Sequence, residues 1–375
     1  MHTKTVEMSS ILELLRANHD LALSFYMPTH RTIQARQQDE TLVKTLLAKA
    51  KELLLQELSE QEAQLYISKL ESLIAAHDFS KSLDGFACFV SGSLSQSFVV
   101  PFSVPELVAV GRGFEIRPLV AGLQRSSHYF VVELTQKVSK LYEAFDGSFH
   151  EIITPEKDAL GNPVQGFPLD AVPSEPAKLE AYKKGDMGDC YFDEHLKKYF
   201  EMIDRELGKV LQTHPGVPVV VCGVEKNLGL FKEITKHTSV IIGYQHGDFH
   251  AAFDLAQAVK PLVETYYRNK TDALIQKFFE SENQLQQAVG IHRVWLMAYD
   301  GRIDYLLVEN NLIIPGKVAT DNPARVVLYK AIDSSDVTDL INLLIERVLT
   351  TKGKVVFVEK GALKNPEGVG AILRY

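Results

Sequence analysis

One stretch constrains this chain more than any other: Tyr182 to Leu211, YKKGDMGDCYFDEHLKKYFEMIDRELGKVL. It reads as a tight loop, Lys183 to Cys190, feeding one long amphipathic helix. Phe192, Leu196, Tyr199, Phe200, Ile203, Leu207, Val210 and Leu211 recur at three- and four-residue steps, the period of a single helix face. Lys, Glu and Asp fill the opposite face. Gly185 and Gly188 allow backbone angles that other residues resist, so the loop can hold an unusual shape and come close to a partner.

Strands flank this helix. Before it, His128–Leu134, Val138–Phe145 and Phe149–Ile153 read as three consecutive strands, and Asp146-Gly147 is a strong hairpin signal. Residues 154–181 are rich in Pro and Gly and lack periodicity, the mark of a long loop of functional kind. After the helix, Val217–Cys222 is a continuous β-branched run that fits a strand buried on both faces. A helix near Lys226–Lys236, a strand Ser239–Tyr244 and a mainly helical Phe253–Phe279 follow, with Pro261 expected to start or kink that helix. The pattern predicts an α/β middle domain with a mixed sheet.

Upstream, residues 9–18 read as a short helix, Leu21–Tyr26 as a buried strand and Met27–Arg31 as a polar loop. Gln38–Leu58 and Ser59–Ala76 form a helical hairpin, separated by a capping box at Ser59 and Glu62. Gly85–Val90 and Ser97–Phe102 pair as a hairpin, with a further strand within Pro105–Ile116. Downstream, Gln284–Tyr299 reads as a helix broken near Gly290. Ile303–Val308 is a strand, Asp333–Thr350 a capped helix, and Lys354–Val358 and Val369–Leu373 are strands. These make a small α/β/α sandwich.

A chain of 375 residues exceeds one ordinary core. Three domains are expected: an α+β unit at 1–118, the middle unit at 119–269 and the sandwich at 270–375. No run of about 18 apolar residues exists, so no membrane span is expected. MHTKTVEMSS lacks the basic-then-apolar form of a signal peptide. Cys88, Cys190 and Cys222 are scattered, which suits a reducing cytoplasm. The net charge of −8 divides as −3, −5 and zero over the three segments, so contact with RNA has to use local patches.

Several residues carry candidate chemistry. Thr29, His30 and Arg31 suit an anion or RNA contact, although a solvated strand-to-helix turn is the simpler account. Tyr267 and Arg268 join an aromatic ring to a base, as RNA platforms do, or sit on a plain helix surface. Asp186, Asp189, Asp193 and His195 gather at a helix start, where carboxylates also serve as caps and dipole partners. His246, Asp248 and His250 form H-x-D-x-H, and alternate residues of an extended segment point the same way, toward one metal ion. Cys190 has no base adjacent in sequence. No P-loop, G-x-S-x-G or dinucleotide fingerprint is present.

Five motifs in order carry a resemblance: Tyr26-Met27-Pro28-Thr29-His30, the helix after the glycine loop, Val220 to Glu225 (VVCGVE), Gly301-Arg302-Ile303, and Ala371 to Tyr375 (AILRY). Together they resemble the bacterial archaeo-eukaryotic release factor family, relatives of class-one peptide-chain release factors and Pelota. The resemblance implies a middle domain of release-factor or ribonuclease H-like form and a ribosomal-protein-like last domain. It aligns Lys184, Gly185, Asp186, Met187, Gly188 and Asp189 with the loop that carries Gly-Gly-Gln in release factors. This sequence holds no Gly-Gly-Gln. Asp186 and Asp189 put negative charge where a release loop works among RNA phosphates, so peptide release is not expected.

The resemblance implies a cytoplasmic factor for rescue, dormancy or quality control, with the ribosome or tRNA and rRNA as partner, no cofactor and no membrane. The rival is a metal-dependent hydrolase or nuclease using the acidic or His/Asp cluster. A homo-oligomer with degenerate sites is a third reading.

Overall fold

The structure is a computed structural model that describes residues 4–6, 8–16, 21–30, 33–79, 82–125, 127–145, 148–154, 166–170, 187–249, 251–281, 286–331 and 337–375. Contacts divide the chain into two compact units. Met1–Ser126 and Lys270–Tyr375 form the first, and Ser127–Asn269 forms the second. The segments read as a first and a last domain thus share one unit.

The chain opens with β1 (Lys4–Thr5), α1 (Met8–Arg16), β2 (Ala22–Pro28), α2 (Ile33–Glu57) and α3 (Glu60–Ala75). Then come β3 (Gly85–Ser91), β4 (Ser95–Val100), β5 (Leu107–Gly111) and α4 (Arg117–Arg125). The strands form one sheet in the order β1-β4-β3-β2-β5. Strand β2 is apolar at nearly every position because both its faces are buried. Leu23, Phe25 and Met27 meet the α2–α3 hairpin, while Ala22 and Tyr26 point into the opposite core. The capping box separates α2 from α3 as expected: Ser59 N donates to Glu62 Oε2 at 3.1 Å, and Glu62 N donates to Ser59 Oγ at 3.5 Å. Met27 and Pro28, expected in a loop, extend β2 and pair with Phe86 and Gly85.

The second unit contains β6 (His128–Leu134), β7 (Val138–Phe145), β8 (Ser148–Glu151), β9 (Leu169–Asp170), α5 (Met187–Thr213), β10 (Val219–Gly223), α6 (Glu225–Ile234) and β11 (Ile241–His246). Helix α7 (Ala252–Glu280) follows. The sheet runs β11-β10-β6-β7-β8, with β10 parallel to β6 and β11, and with β7 and β8 antiparallel. This is the mixed α/β architecture read from the sequence. Phe130, Val132 and Leu134 face α5 and α6, while Tyr129 and Val131 face α7. Pro261 does not start α7; the helix begins nine residues earlier, at Ala252, and contains it.

The remaining elements are β12 (Gln287–Val289), α8 (Ile291–Tyr299), β13 (Ile303–Glu309), β14 (Pro315–Val318), β15 (Val326–Leu328), β16 (Thr338–Asp339), α9 (Leu340–Thr350), β17 (Lys354–Val358) and β18 (Val369–Leu373). A four-stranded sheet, β12-β18-β13-β17, lies between α8 and α9 on one face and the end of α7 on the other. Leu306 and Val308 point to the first face and Leu307 to the second. The expected helix 284–299 splits because Gly290 takes φ 80°, leaving Gln287–Val289 to pair with β18. The last helix starts at Leu340, since Asp339 Oδ1 caps it by accepting from Ile341 N at 3.0 Å.

One core joins both segments of the first unit: Ile11, Leu14, Phe89 and Phe114 pack with Trp295, Leu344 and Ile345. Polar bonds reinforce it. Asn342 Oδ1 accepts from Ile116 N at 3.2 Å, and Arg117 Nη1 bonds Asp339 Oδ2 at 2.7 Å. No helix among the described residues is long and apolar enough to cross a membrane.

Candidate functional site

The three parallel strands of the second unit deliver their carboxyl ends, Leu134, Gly223 and His246, to one edge. Such an edge is where open α/β sheets bind ligands. Gly223 is required there by close approach, since a Cβ would lie 2.8 Å from the Leu134 carbonyl oxygen. Gly247 N donates to Gly223 O at 3.1 Å, which ties the H-x-D-x-H segment to this edge.

On the α7 face of that edge, Glu133, Lys140, Tyr142 and Glu151 line an open cavity of about 500 Å³, with Phe249 and Leu255 opposite. Tyr142 Oη donates to Glu133 Oε2 at 3.2 Å, and Lys140 Nζ bonds Glu151 Oε2 at 3.2 Å. Burial raises the Glu133 carboxyl above its ordinary range. The Tyr142 hydroxyl and Lys140 hold it back, and the charges of Glu151 and Asp248 push it further up. Burial and the nearby Glu133 also raise the Cys222 thiol, so Cys222 is a core thiol rather than a nucleophile. The cavity thus sets one cation, Lys140, against the carboxylates of Glu133 and Glu151. Sequence reasoning missed Glu133, although a carboxylate inside the apolar run HYFVVEL was a visible signal.

On the other face, α5 is fixed at mid-length. Tyr199 Oη donates to Leu169 O at 2.6 Å and accepts from Ser139 N at 2.9 Å, beside the β6–β7 turn. Leu196, Phe200, Ile203 and Leu207 fill the core beneath it. Asp204, 5% exposed, accepts from the Thr235 hydroxyl at 2.6 Å and from Lys236 N at 3.2 Å. Met187 precedes Tyr199 by twelve residues, about 18 Å of helix. The first turns of α5 therefore run well past its anchor at Tyr199.

The predicted site residues are placed as follows. Met187, Gly188, Asp189 and Asp193 lie within α5, which starts three residues before the expected end of the loop; Lys184, Gly185 and Asp186 lie outside the described residues. His246 is the last residue of β11 and exposed, Asp248 follows it, and His250 lies outside the described residues. Among the described residues no group of three His, Cys, Asp or Glu is arranged to hold a metal ion. Thr29 is 5% exposed and its hydroxyl donates to Leu83 O at 2.9 Å. His30 is bonded through Nδ1 to Asp39 Oδ1 at 2.7 Å, on a cavity of about 630 Å³; Arg31 lies outside the described residues. Tyr267 is half-buried and donates to His128 O at 2.6 Å, whereas Arg268 is exposed. The charge of Asp248 thus reaches Glu133, and the Thr29 and Tyr267 hydroxyls are bonded to the protein's own backbone.

Residues 128–302 match the model of bacterial archaeo-eukaryotic release factor family 3, so the resemblance read from the sequence holds over that segment. No curated protein matches the chain. Among solved structures, the archaeal translation termination factor aRF1 is 15% identical, with 98% of this chain and 97% of that one covered, at a TM-score of 0.25. Dom34 of S. cerevisiae is 9% identical, covering 100% and 94%, at 0.39. A ribosome-bound archaeal Pelota is 12% identical, covering 100% and 95%, at 0.41.

Proposed function

We infer that this chain is a cytoplasmic, translation-associated factor that binds the ribosome, because residues 128–302 match the model of bacterial archaeo-eukaryotic release factor family 3. The family match carries this reading. Helix α5 supports it, because a long helix fixed at Tyr199 and running about 18 Å beyond it suits a probe that enters a deep RNA site. The role is rescue, dormancy or quality control, without Gly-Gly-Gln peptide release, because the motif is missing from the sequence.

Sucrose-gradient sedimentation of tagged protein, from growing and starved cells at low and high salt, tests the reading. Salt-sensitive migration with ribosomal particles is expected. Protein that stays at the top of every gradient would overturn it.

One observation favours a second reading. The cavity lined by Glu133 and Glu151 offers two carboxylates, of the kind a metal-dependent hydrolase or nuclease uses, with the charge of Asp248 acting on Glu133. Stoichiometric retention of Mg, Mn or Zn by metal-stripped protein, lost in Glu133→Gln, would favour it. Equal retention by both proteins would count against it.

A further inference from the structure

Two of the sequence motifs, Gly301-Arg302-Ile303 and Arg374-Tyr375, have no part in the middle-unit site. In the first unit they meet. Ile303 of β13 pairs with Leu373 of β18, and Tyr305 of β13 pairs with Lys354 of β17. The start of β13, the start of β17 and the end of β18 therefore share one end of the four-stranded sheet.

Cations and tyrosine rings alternate at that end. The Tyr305 ring has the Lys354 ammonium at 5.0 Å and the Lys277 ammonium of α7 at 5.4 Å from its centroid. Lys354 Nζ also lies 3.2 Å from the Tyr305 hydroxyl. The Arg302 guanidinium stands 5.2 Å from the Tyr375 ring, which is 67% exposed. Arg374 is held by backbone oxygens alone, Gly301 O at 3.1 Å and Thr351 O at 2.8 Å. Among the described residues, Lys277, Lys354 and Arg374 have no side-chain carboxylate within ion-pair distance. The chain neighbours Asp300 and Asp304 set two carboxylates against four cations.

Arg302 Nη2 donates to Tyr375 O, and in a chain of net charge −8 this concentration of positive charge is local. Its chemistry is that of a single-stranded nucleic acid contact, with several cations for phosphates and the exposed Tyr375 ring for a base. An acidic peptide would use the charges and leave the rings idle. We propose that the end of the β12-β18-β13-β17 sheet, through Lys277, Arg302, Tyr305, Lys354, Arg374 and Tyr375, is a contact surface for single-stranded RNA. This deepens the ribosome-binding reading, on which it rests for the source of the RNA.

The test is fluorescence anisotropy with a fluorescein-labelled oligouridine of about 12 nucleotides, at several salt concentrations. Wild-type protein is expected to bind, with affinity falling steeply as salt rises. Lys277→Ala with Lys354→Ala, both exposed positions that leave the fold intact, should weaken binding about tenfold, and Lys354→Arg should retain it. Tyr375→Ala should weaken it severalfold through loss of stacking. No binding by the wild type, equal binding by the double variant, or displacement by poly-glutamate as readily as by unlabelled RNA would each overturn the proposal. Ribosome sedimentation of the same proteins separates the two readings. Patch-dependent RNA binding by a protein that never sediments keeps the patch and removes the ribosome reading; sedimentation with RNA affinity indifferent to the patch does the reverse.

Discussion

Glutamates are drawn out of water in both units, with different outcomes. In the first unit, Glu115 precedes α4 and Glu346 lies on α9. Burial raises Glu115 to about 7, with Arg117 holding it back and Asp339 pushing it up. Burial and then Glu115 raise Glu346 to about 8, with the Asn342 amide holding it back. Their surroundings are a lattice of bonds: Asn342 Nδ2 reaches Phe114 O at 3.0 Å and Glu346 Oε1 at 3.2 Å, and Ser24 Oγ accepts from Glu115 N at 2.9 Å. In the second unit, Glu133 also rises through burial, its carboxyl accepts from the Tyr142 hydroxyl, and it lines an open cavity. A perturbed carboxylate therefore does not mark a ligand site by itself. What separates them is the company each carboxylate keeps: Glu346, which also lines a cavity of about 410 Å³, has the Asn342 amide beside it, whereas Glu133 has the charges of Glu151 and Asp248.

Three substitutions would sharpen or break this contrast. The largest effect is expected from Arg117→Met. Arg117 Nη1 bonds Asp339 at 2.7 Å and Leu312 O at 2.8 Å, so its loss leaves Asp339, whose side chain is 8% exposed, without a counter-charge. The first unit should lose about 3 kcal/mol. Trp295 is the chain's one tryptophan and is 2% exposed in this unit, so its fluorescence during urea unfolding reads this unit. A loss below about 1 kcal/mol would mean that the lattice does not depend on its ion pair.

Glu346→Gln comes next. In the unfolded chain Glu346 ionises near 4.5, and in the folded unit only near 8. Between these values the folded state holds a proton that the unfolded state releases. Stability of the first unit should therefore fall as pH rises from about 4.5 to about 8, and level off above. Glu346→Gln should flatten the profile and add on the order of 2 kcal/mol at pH 8. An unchanged slope would place the titration on Glu115 alone.

Tyr142→Phe should have the smallest effect, about 1 kcal/mol in the second unit, with Glu133 titrating still higher once the hydroxyl is gone. A carboxyl-carbon NMR titration reads Glu133 directly. If Tyr142→Phe costs as much as Arg117→Met, the second unit's edge is as interlocked as the first unit's lattice and the contrast fails.

Much of the fold was legible because it rests on local signals. The Ser59/Glu62 box, the α5 stripe from Leu196 to Leu207 and the β-branched run of β10 each state their element within a few residues. Element boundaries were harder. The break at Gly290, φ 80°, was legible but not the pairing of the piece before it as β12, and the cap at Asp339 shortens α9. Contacts between residues distant in sequence were not legible, whereas Glu133 of the candidate site has its partner Tyr142 only nine positions away and was missed inside an apolar run that reads as a plain strand. Asp339 meets Arg117 across 222 positions, and Thr29 is buried by a bond to Leu83 across 54. Asp248 stands out in the sequence only as part of H-x-D-x-H, and Glu133, whose carboxyl its charge raises, does not stand out by that pattern.

The shared core of the first unit carries a cost in time. Residues 1–126 form a sheet whose Tyr26, Phe89 and Phe114 face is completed by side chains such as Trp295 and Leu344. During synthesis that face stays uncovered until the later segment has been translated, while the second unit, contiguous in sequence, can close first. With about 150 to 250 residues still to be added, the wait is on the order of ten to fifty seconds. The nascent amino-terminal half is thus the part of this chain most in need of a chaperone, and a truncation after the second unit would leave it permanently unfinished.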